Sequence, residues 1–172
     1  MSLRRLLICT ACLASSVAFS VDLDRADASA PDRSSRCQSA VHNRQLRARI
    51  YRAPGWRVRC VSSIHVPGFG NVIGLTLSQS HLILVDARRG DPMTTLAHEL
   101  SHAFSLDRMS TGLRSRFTRT VGYRSFSTGT SWATTPAEIW AYNQARCAGY
   151  TTAARARTVS CGVIRSFVRA TT

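Results

Sequence analysis

Two histidines and a glutamate stand at a spacing that suits metal-assisted chemistry. Segment 95–104 reads TLAHELSHAF, in which His98, Glu99 and His102 form the pattern H-E-x-x-H. On a helix, residues four apart lie on one face, so both imidazoles can reach one zinc ion at about 2.0–2.1 Å. Glu99 lies beside them on the helix, where its carboxylate can contact a metal-bound water. The segment therefore predicts two zinc ligands and a general base for hydrolysis.

The helix that must carry this segment has an apolar side and a polar side. Asp91 and Pro92 are typical of a helix start, as N-cap and first helical residue, and we expect the helix to run to about Ser105. At about 100° per residue, one side of it gathers six apolar residues: Met93, Leu96, Ala97, Leu100, Ala103 and Phe104. His98 and His102 fall on roughly the opposite side, which predicts that they face a cleft.

A third ligand must come from elsewhere, because catalytic zinc usually has three protein ligands and one open position for water. Arg108 stands where an extended form of the motif has a third histidine, which excludes that class. Asp107 is one residue away from the matching aspartate position. We favour Glu138, because the chain has only two glutamates and the other is Glu99. Since Thr135-x-x-Glu138 is also a capping box, a purely capping role for Glu138 stays open.

The remaining pattern predicts a small α+β domain. Alternating or continuous apolar stretches indicate three short strands in a largely antiparallel sheet, over 56–64, 72–77 and 81–85. Helical spacing indicates a first helix over 35–52 and further helices over 111–121, 135–147 and 160–170. A loop rich in Gly, Ser and Thr is expected over 122–134. We expect the sheet to pack on the H-E-x-x-H helix, and the helix that begins at Thr135 to bring in Glu138.

The first 30 residues are typical of an export signal. Arg4 and Arg5 precede an apolar stretch over 6–19, and small residues follow at Ala26, Ala28 and Ala30. The apolar stretch is too short to span a bilayer comfortably, and nothing later in the sequence is long enough. We therefore predict a cleaved signal peptide over 1–30 and a single secreted domain over 31–172.

The cysteines agree with export. Two of the six lie in the predicted signal, which leaves Cys37, Cys60, Cys147 and Cys161. Four cysteines in an exported chain imply two disulfides, and sequence proximity favours Cys37–Cys60 and Cys147–Cys161. A zinc site built from all four is the competing interpretation, but no two of them have the close spacing that such sites use.

The chain is strongly basic. It carries 23 basic residues, all Arg, against 9 acidic residues, for a net charge of +14. Part of this signal is typical of a GC-rich genome, but the positive field still favours anionic surroundings such as a phospholipid surface or an acidic cell-wall polymer. The arginines are scattered, without the basic block that marks a nucleic-acid arm. A basic surface with no dedicated partner is the simplest interpretation, and no nucleic-acid partner is expected.

The order of these features resembles the gluzincin class of zinc metallopeptidases. The shared features are a strand, an Asp-Pro helix with HELSH at 98–102, a loop, and PAEIWA at 136–141. With the APGWRV turn at 53–58, the chain more narrowly resembles small secreted, disulfide-containing actinobacterial proteins of minimal zincin fold. The resemblance implies His98, His102 and Glu138 as ligands and Glu99 as base. Gluzincins often have an acidic residue four positions after the ligand Glu, where this chain has Tyr142.

These observations predict a secreted zinc metallopeptidase that hydrolyses peptide bonds, with Glu99 activating the zinc-bound water. The developing oxyanion needs a partner, and the candidates are Tyr123, Tyr142, Tyr150 and, as a charged alternative, Arg124. A secreted basic module that binds anionic envelope surfaces, with a vestigial or structural metal site, is the alternative from a different class. The residues leave the substrate and the oligomeric state open.

Overall fold

The computed structural model describes residues 31–127, 134–150 and 156–171, so the predicted signal peptide and part of the predicted loop over 122–134 lie outside them. Within these residues the chain forms the expected α+β domain. Its helices are α1 (Pro31–Val41), α2 (Arg44–Arg49), α3 (Pro92–Arg108), α4 (Thr111–Thr120), α5 (Pro136–Cys147) and α6 (Cys161–Arg169). Its strands are β1 (Arg57–Val61), β2 (Ile64–Val66), β3 (Gly70–Val72), β4 (Gly74–Leu77) and β5 (Leu82–Asp86). None of the described helices has the length and hydrophobicity that crossing a membrane requires.

The expected single helix over 35–52 is wrong, because the chain forms two helices there. α1 ends at Val41, and α2 begins after Asn43, whose Oδ1 accepts a hydrogen bond of 2.8 Å from the backbone N–H of Leu46. Asn is favoured as an N-cap because its side chain satisfies a free amide of the first turn. Leu46 and Ile50 are buried, so the apolar spacing identified the core-facing residues without locating the break.

The main sheet is mixed and has β5 at its centre, in the order β1-β5-β4. β4 runs antiparallel to β5, and β2 and β3 form a separate antiparallel pair. β1 runs parallel to β5, with Arg57 opposite Leu82. A parallel pair needs a crossover rather than a hairpin, and here the β2–β4 segment supplies it. Because β5 has a neighbour on each side, Ile83, Leu84 and Val85 are buried.

Helix α3 lies between the sheet and α5 and forms the core of the domain. Asp91 caps it by accepting a hydrogen bond of 2.8 Å from the backbone N–H of Thr94, and Pro92 opens its first turn, as predicted. The helix continues three residues beyond the expected end at Ser105, to Arg108. Its apolar side is buried in the core that includes the sheet residues Ile83 and Val85, through Leu96, Ala97, Leu100 and Ala103.

Two disulfides fix the first and the last helix of the part of the chain that the structure describes. Cys37–Cys60 joins α1 to β1, and Cys147–Cys161 joins the end of α5 to the start of α6. Both pairings are those that sequence proximity favours, and the competing four-cysteine zinc site is thereby excluded.

Candidate metal centre

The structure brings His98, His102 and Glu138 together at the interface between α3 and α5. Nε2 of His98 lies 3.0 Å from Oε2 of Glu138, and Nε2 of His102 lies 3.1 Å from Oε1 of the same carboxylate. The two imidazole Nε2 atoms are 3.0 Å apart. The three side chains are 15%, 11% and 8% exposed, respectively. Two imidazole nitrogens and one carboxylate thus converge in a largely buried position.

Local structure and helix packing together produce this convergence. His98 and His102 are one turn apart on α3, and their rings contact edge to face. Glu138 lies in the first turn of α5, where its backbone N–H donates a hydrogen bond of 3.2 Å to Oγ1 of Thr135. Thr135 therefore caps α5, while the Glu138 carboxylate contacts the two imidazoles. Glu138 therefore does not have the purely capping role that the sequence leaves open.

Two contacts of Trp140 hold α5 against α3. Its indole Nε1 donates a hydrogen bond of 3.1 Å to the backbone oxygen of Ser101, which lies between the two histidines on α3. Its ring stacks on Phe104, with centroids 5.8 Å apart. Since Trp140 is fully buried, these contacts fix the register of α5 on α3, and with it the position of Glu138 two residues earlier.

The donor set fits a metal ion. His98, His102 and Glu138 form a cluster that could hold one, and two imidazoles with one carboxylate are ligands typical of zinc and other divalent transition metals. Ligand atoms bound at about 2.0–2.1 Å around a tetrahedral ion lie about 3.3 Å apart. The observed separations of 3.0–3.1 Å need to open by only a few tenths of an ångström to match this value.

In the metal-free protein the surroundings of His102 favour its protonated form at neutral pH. Burial alone would lower the pKa of His102, but the facing carboxylate of Glu138, its hydrogen bond and the nearby Glu99 raise that pKa to about 9. For Glu138 burial acts in the opposite direction and would raise the pKa. The neighbouring His102 and His98 nevertheless hold this pKa well below its usual range. The site therefore stabilises positive charge next to Glu138, and a metal cation would take the place of that proton.

Glu99 occupies a separate, close-fitting position beside strand β4. Its carboxylate is buried, and Oε2 accepts a hydrogen bond of 2.6 Å from Oγ1 of Thr76. A Cβ atom at Gly74 would collide with Oε1 of Glu99 and would lie 2.8 Å from Cγ2 of Thr95. A glycine is therefore needed at position 74 for α3 to approach β4 so closely. These contacts orient the carboxylate for which the sequence predicts the role of general base.

One pocket is lined both by Glu99 and by two residues of the cluster, His102 and Glu138. Residues from β4, α3, α4, α5 and the segment before position 128 line it: Gly74, Leu75, Thr76, Glu99, His102, Ser105, Leu106, Arg114, Phe126, Ser127, Ala137 and Glu138. The sequence-based candidates for oxyanion stabilisation, Tyr123, Tyr142, Tyr150 and Arg124, are not among these described lining residues. Arg114 is the arginine among these described lining residues, and no motif in the sequence distinguishes it from the other arginines.

Asp107, the other candidate for the third ligand, is engaged elsewhere. Its Oδ2 accepts a hydrogen bond of 2.7 Å from Nε1 of Trp56 and one of 3.0 Å from the hydroxyl of Tyr51. The structure thus ties the last turn of α3 to the segment around the start of β1. Asp107 does not join the cluster of His98, His102 and Glu138.

Comparisons with known protein families, with curated proteins and with solved structures found no match. The resemblance to gluzincins therefore stays a prediction from the residues quoted above.

Proposed function

We propose that this protein is a secreted zinc metallopeptidase, with His98, His102 and Glu138 as zinc ligands and Glu99 as general base. The observation that carries the proposal is the convergence of the three donor atoms at 3.0–3.1 Å, together with the opening of Glu99 into the same pocket. Three protein ligands are the number found in catalytic zinc sites, whereas structural sites have four.

Different residues of the pocket have different roles in hydrolysis. Zinc, when bound, supplies a water that is activated near neutral pH and polarises the substrate carbonyl. Glu99 accepts a proton as the water attacks and passes it to the leaving amine. Thr76 keeps the Glu99 carboxylate in place through the 2.6 Å hydrogen bond, so that the base does not have to be reoriented for each transfer.

The position of β4 at the edge of its sheet favours a peptide as the substrate. Within the residues that the structure describes, β4 pairs with β5 on one side only. Gly74, Leu75 and Thr76 of β4 line the pocket, so their backbone lies next to Glu99. An extended peptide can add to such an edge by main-chain hydrogen bonds, which would hold its scissile bond beside the cluster.

The two disulfides favour secretion. Such bonds persist in oxidising compartments and are rare in the cytosol. The two bonds, Cys37–Cys60 and Cys147–Cys161, join cysteines that are 23 and 14 positions apart in the sequence. They agree with the export signal that the sequence predicts over 1–30.

Replacing Glu99 by Gln tests the proposal. The change keeps the size of the side chain but removes the base, so we expect hydrolysis of a fluorogenic peptide library to fall by roughly 10²- to 10⁴-fold. Zinc content, measured by elemental analysis, should not change. Asp107→Asn is the matched control, because it makes the same chemical change on the same helix outside the pocket, and its activity should stay near wild type. Unchanged hydrolysis in Glu99→Gln, or no hydrolysis of any peptide by the zinc-loaded wild type, would contradict the proposal.

The basic surface supports one alternative, a module that binds anionic envelope surfaces. Five exposed arginines lie along α2 and β1 and between them: Arg44, Arg49, Arg52, Arg57 and Arg59. A binding module of this kind would bind anionic vesicles in a salt-sensitive manner, and the binding would survive chelation of the metal. Vesicle sedimentation with and without a chelator distinguishes the two functions.

A further inference from the structure

Arg114 lies at the pocket without a carboxylate partner. It is half-buried on α4, and its Nε donates a hydrogen bond of 3.0 Å to the backbone oxygen of Met109. Within the part of the chain that the structure describes, no carboxylate forms an ion pair with it. The Met109 contact orients the side chain, and the rest of its planar guanidinium stays available to a ligand.

The charge of the pocket favours an anion. Its ionisable lining groups are Glu99, Glu138, His102 and Arg114. When a divalent cation is bound, its two charges offset the two carboxylates, and with neutral His102 the charge of Arg114 remains. An anionic substrate group would therefore be attracted, and the attraction would be stronger than in bulk water because part of the pocket wall is apolar. That wall consists of Leu75, Leu106, Phe126 and Ala137.

We propose that Arg114 binds a carboxylate of the substrate, so that the preferred substrates are peptides with a carboxylate close to the scissile bond. A guanidinium presents parallel N–H donors that match the two oxygens of a carboxylate. The carboxylate belongs to the free C-terminus of the peptide or to an acidic side chain, and both present the same planar anion. This inference rests on the proposed function, since it names the substrate class for the same site.

The test compares peptides that differ only in this charge. One peptide is offered as the free C-terminal acid and as the C-terminal amide, and a second, amidated peptide is offered with Glu or Gln beside the scissile bond. We expect the zinc-loaded wild type to prefer the acid over the amide, or Glu over Gln, by about 10- to 100-fold in kcat/KM. The pair that shows the preference identifies the source of the carboxylate. In Arg114→Gln the preference should disappear, mainly through KM, while zinc content and hydrolysis of the uncharged peptides persist.

Arg119→Gln is the matched control, because Arg119 is an exposed arginine on the same helix; this variant should keep the preference. Equal kcat/KM for charged and uncharged peptides in the wild type, or a preference that survives in Arg114→Gln, would overturn the role of Arg114. If no peptide is hydrolysed, the proposed function fails and calorimetry decides on Arg114. Tighter binding of the charged peptides by wild type than by Arg114→Gln supports the role, and equal binding or no binding overturns it.

Discussion

Two of the carboxylates near helix α3, those of Glu138 and Asp107, have surroundings that differ in kind. Glu138 is buried and faces the imidazoles of His98 and His102. Asp107 is exposed, on the last turn of α3, and accepts hydrogen bonds from the indole of Trp56 and the hydroxyl of Tyr51. A neutral imidazole nitrogen can bind a metal, whereas an indole N–H only donates. The region around Glu138 can therefore hold a cation. The hydrogen bonds of Asp107 instead join the end of α3 to the segment before β1.

The difference shows how the same chemical group acquires its role from its neighbours. Asp107 lies on α3 and Glu138 packs against it from α5, and in the sequence both are candidates for the third ligand. Removing the Glu138 carboxylate should weaken metal binding, whereas removing the Asp107 carboxylate should mainly lower the free energy of unfolding.

Replacing Glu138 by Ala should weaken zinc binding by roughly a thousandfold, which corresponds to about 4 kcal/mol. This is about a third of the ~10–16 kcal/mol with which structural sites bind zinc. Replacing Asp107 by Ala should leave zinc affinity within about twofold of wild type, because Asp107 lies outside the cluster. Competition with a coloured chelator measures both affinities. Comparable losses in the two variants would remove the distinction between the regions.

Removing the disulfide that follows the Glu138 helix should lower stability and metal affinity together. The Cys147→Ser/Cys161→Ser variant should lose about 3 kcal/mol of unfolding free energy, because the unfolded chain gains freedom. It should also bind zinc more weakly, since α5 is less firmly held. Cys37→Ser/Cys60→Ser is the control: it should lose a similar amount of stability and keep its zinc affinity. Urea unfolding and chelator competition measure the two quantities, and unchanged zinc affinity in both variants would show that the α5 end is not coupled to the site.

Zinc binding should depend on pH because the ion must displace a proton. The pKa of His102 in the metal-free fold is about 9, against 6.5 for an ordinary histidine. Zinc affinity should therefore rise about tenfold per pH unit as the pH rises towards 9. By the same linkage, the contribution of this proton to metal-free stability is complete below about pH 6.5 and is lost as the pH rises through 9.

Calorimetry in buffers of different ionisation enthalpy should show about one proton released per zinc at pH 7. Glu138, His98 and Glu99 face His102, so Glu138→Gln should remove most of this proton release. Zinc affinity that does not change with pH would contradict the assignment of His102 as a ligand.

Removing the hydrogen bonds of Asp107 should have the smallest effect on the protein. Burial, and then the hydrogen bond to Asp107, raise the pKa of Tyr51 to about 12. In Asp107→Asn this pKa should fall towards the ordinary value of a tyrosine, and stability should decrease by about 1 kcal/mol, the scale of one partly exposed hydrogen bond. Absorbance titration of tyrosine and urea unfolding test the two expectations. A Tyr51 pKa that stays at about 12 would show that burial alone sets it.

The parts of the site that depend on local spacing could be predicted from the sequence. Four-residue spacing puts His98 and His102 on one face of any helix, and Asp91 and Pro92 mark where that helix begins. The disulfides follow from proximity along the chain. The rarity of glutamate in this sequence points to Glu138, and the structure brings it to the histidines.

The parts that depend on packing could not be predicted. Thr76 reaches Glu99 only because β4 lies beside α3, and nothing in its sequence neighbourhood indicates this contact. Arg114 is one of many arginines, and only the packing of α4 brings it to the pocket. The break at Asn43 depends on a single side-chain cap, which apolar periodicity does not register. Local spacing and the rarity of glutamate thus indicate the residues of the cluster, whereas the contacts of Glu99 and the lining of the pocket depend on the fold.

The most direct test of the central claim is anomalous diffraction from crystals of the zinc-loaded protein, recorded on both sides of the zinc absorption edge. We predict one anomalous peak bound by Nε2 of His98, Nε2 of His102 and the carboxylate of Glu138, at about 2.0–2.2 Å from each. A zinc peak at another position, or zinc-loaded crystals with no peak between α3 and α5, would contradict the account.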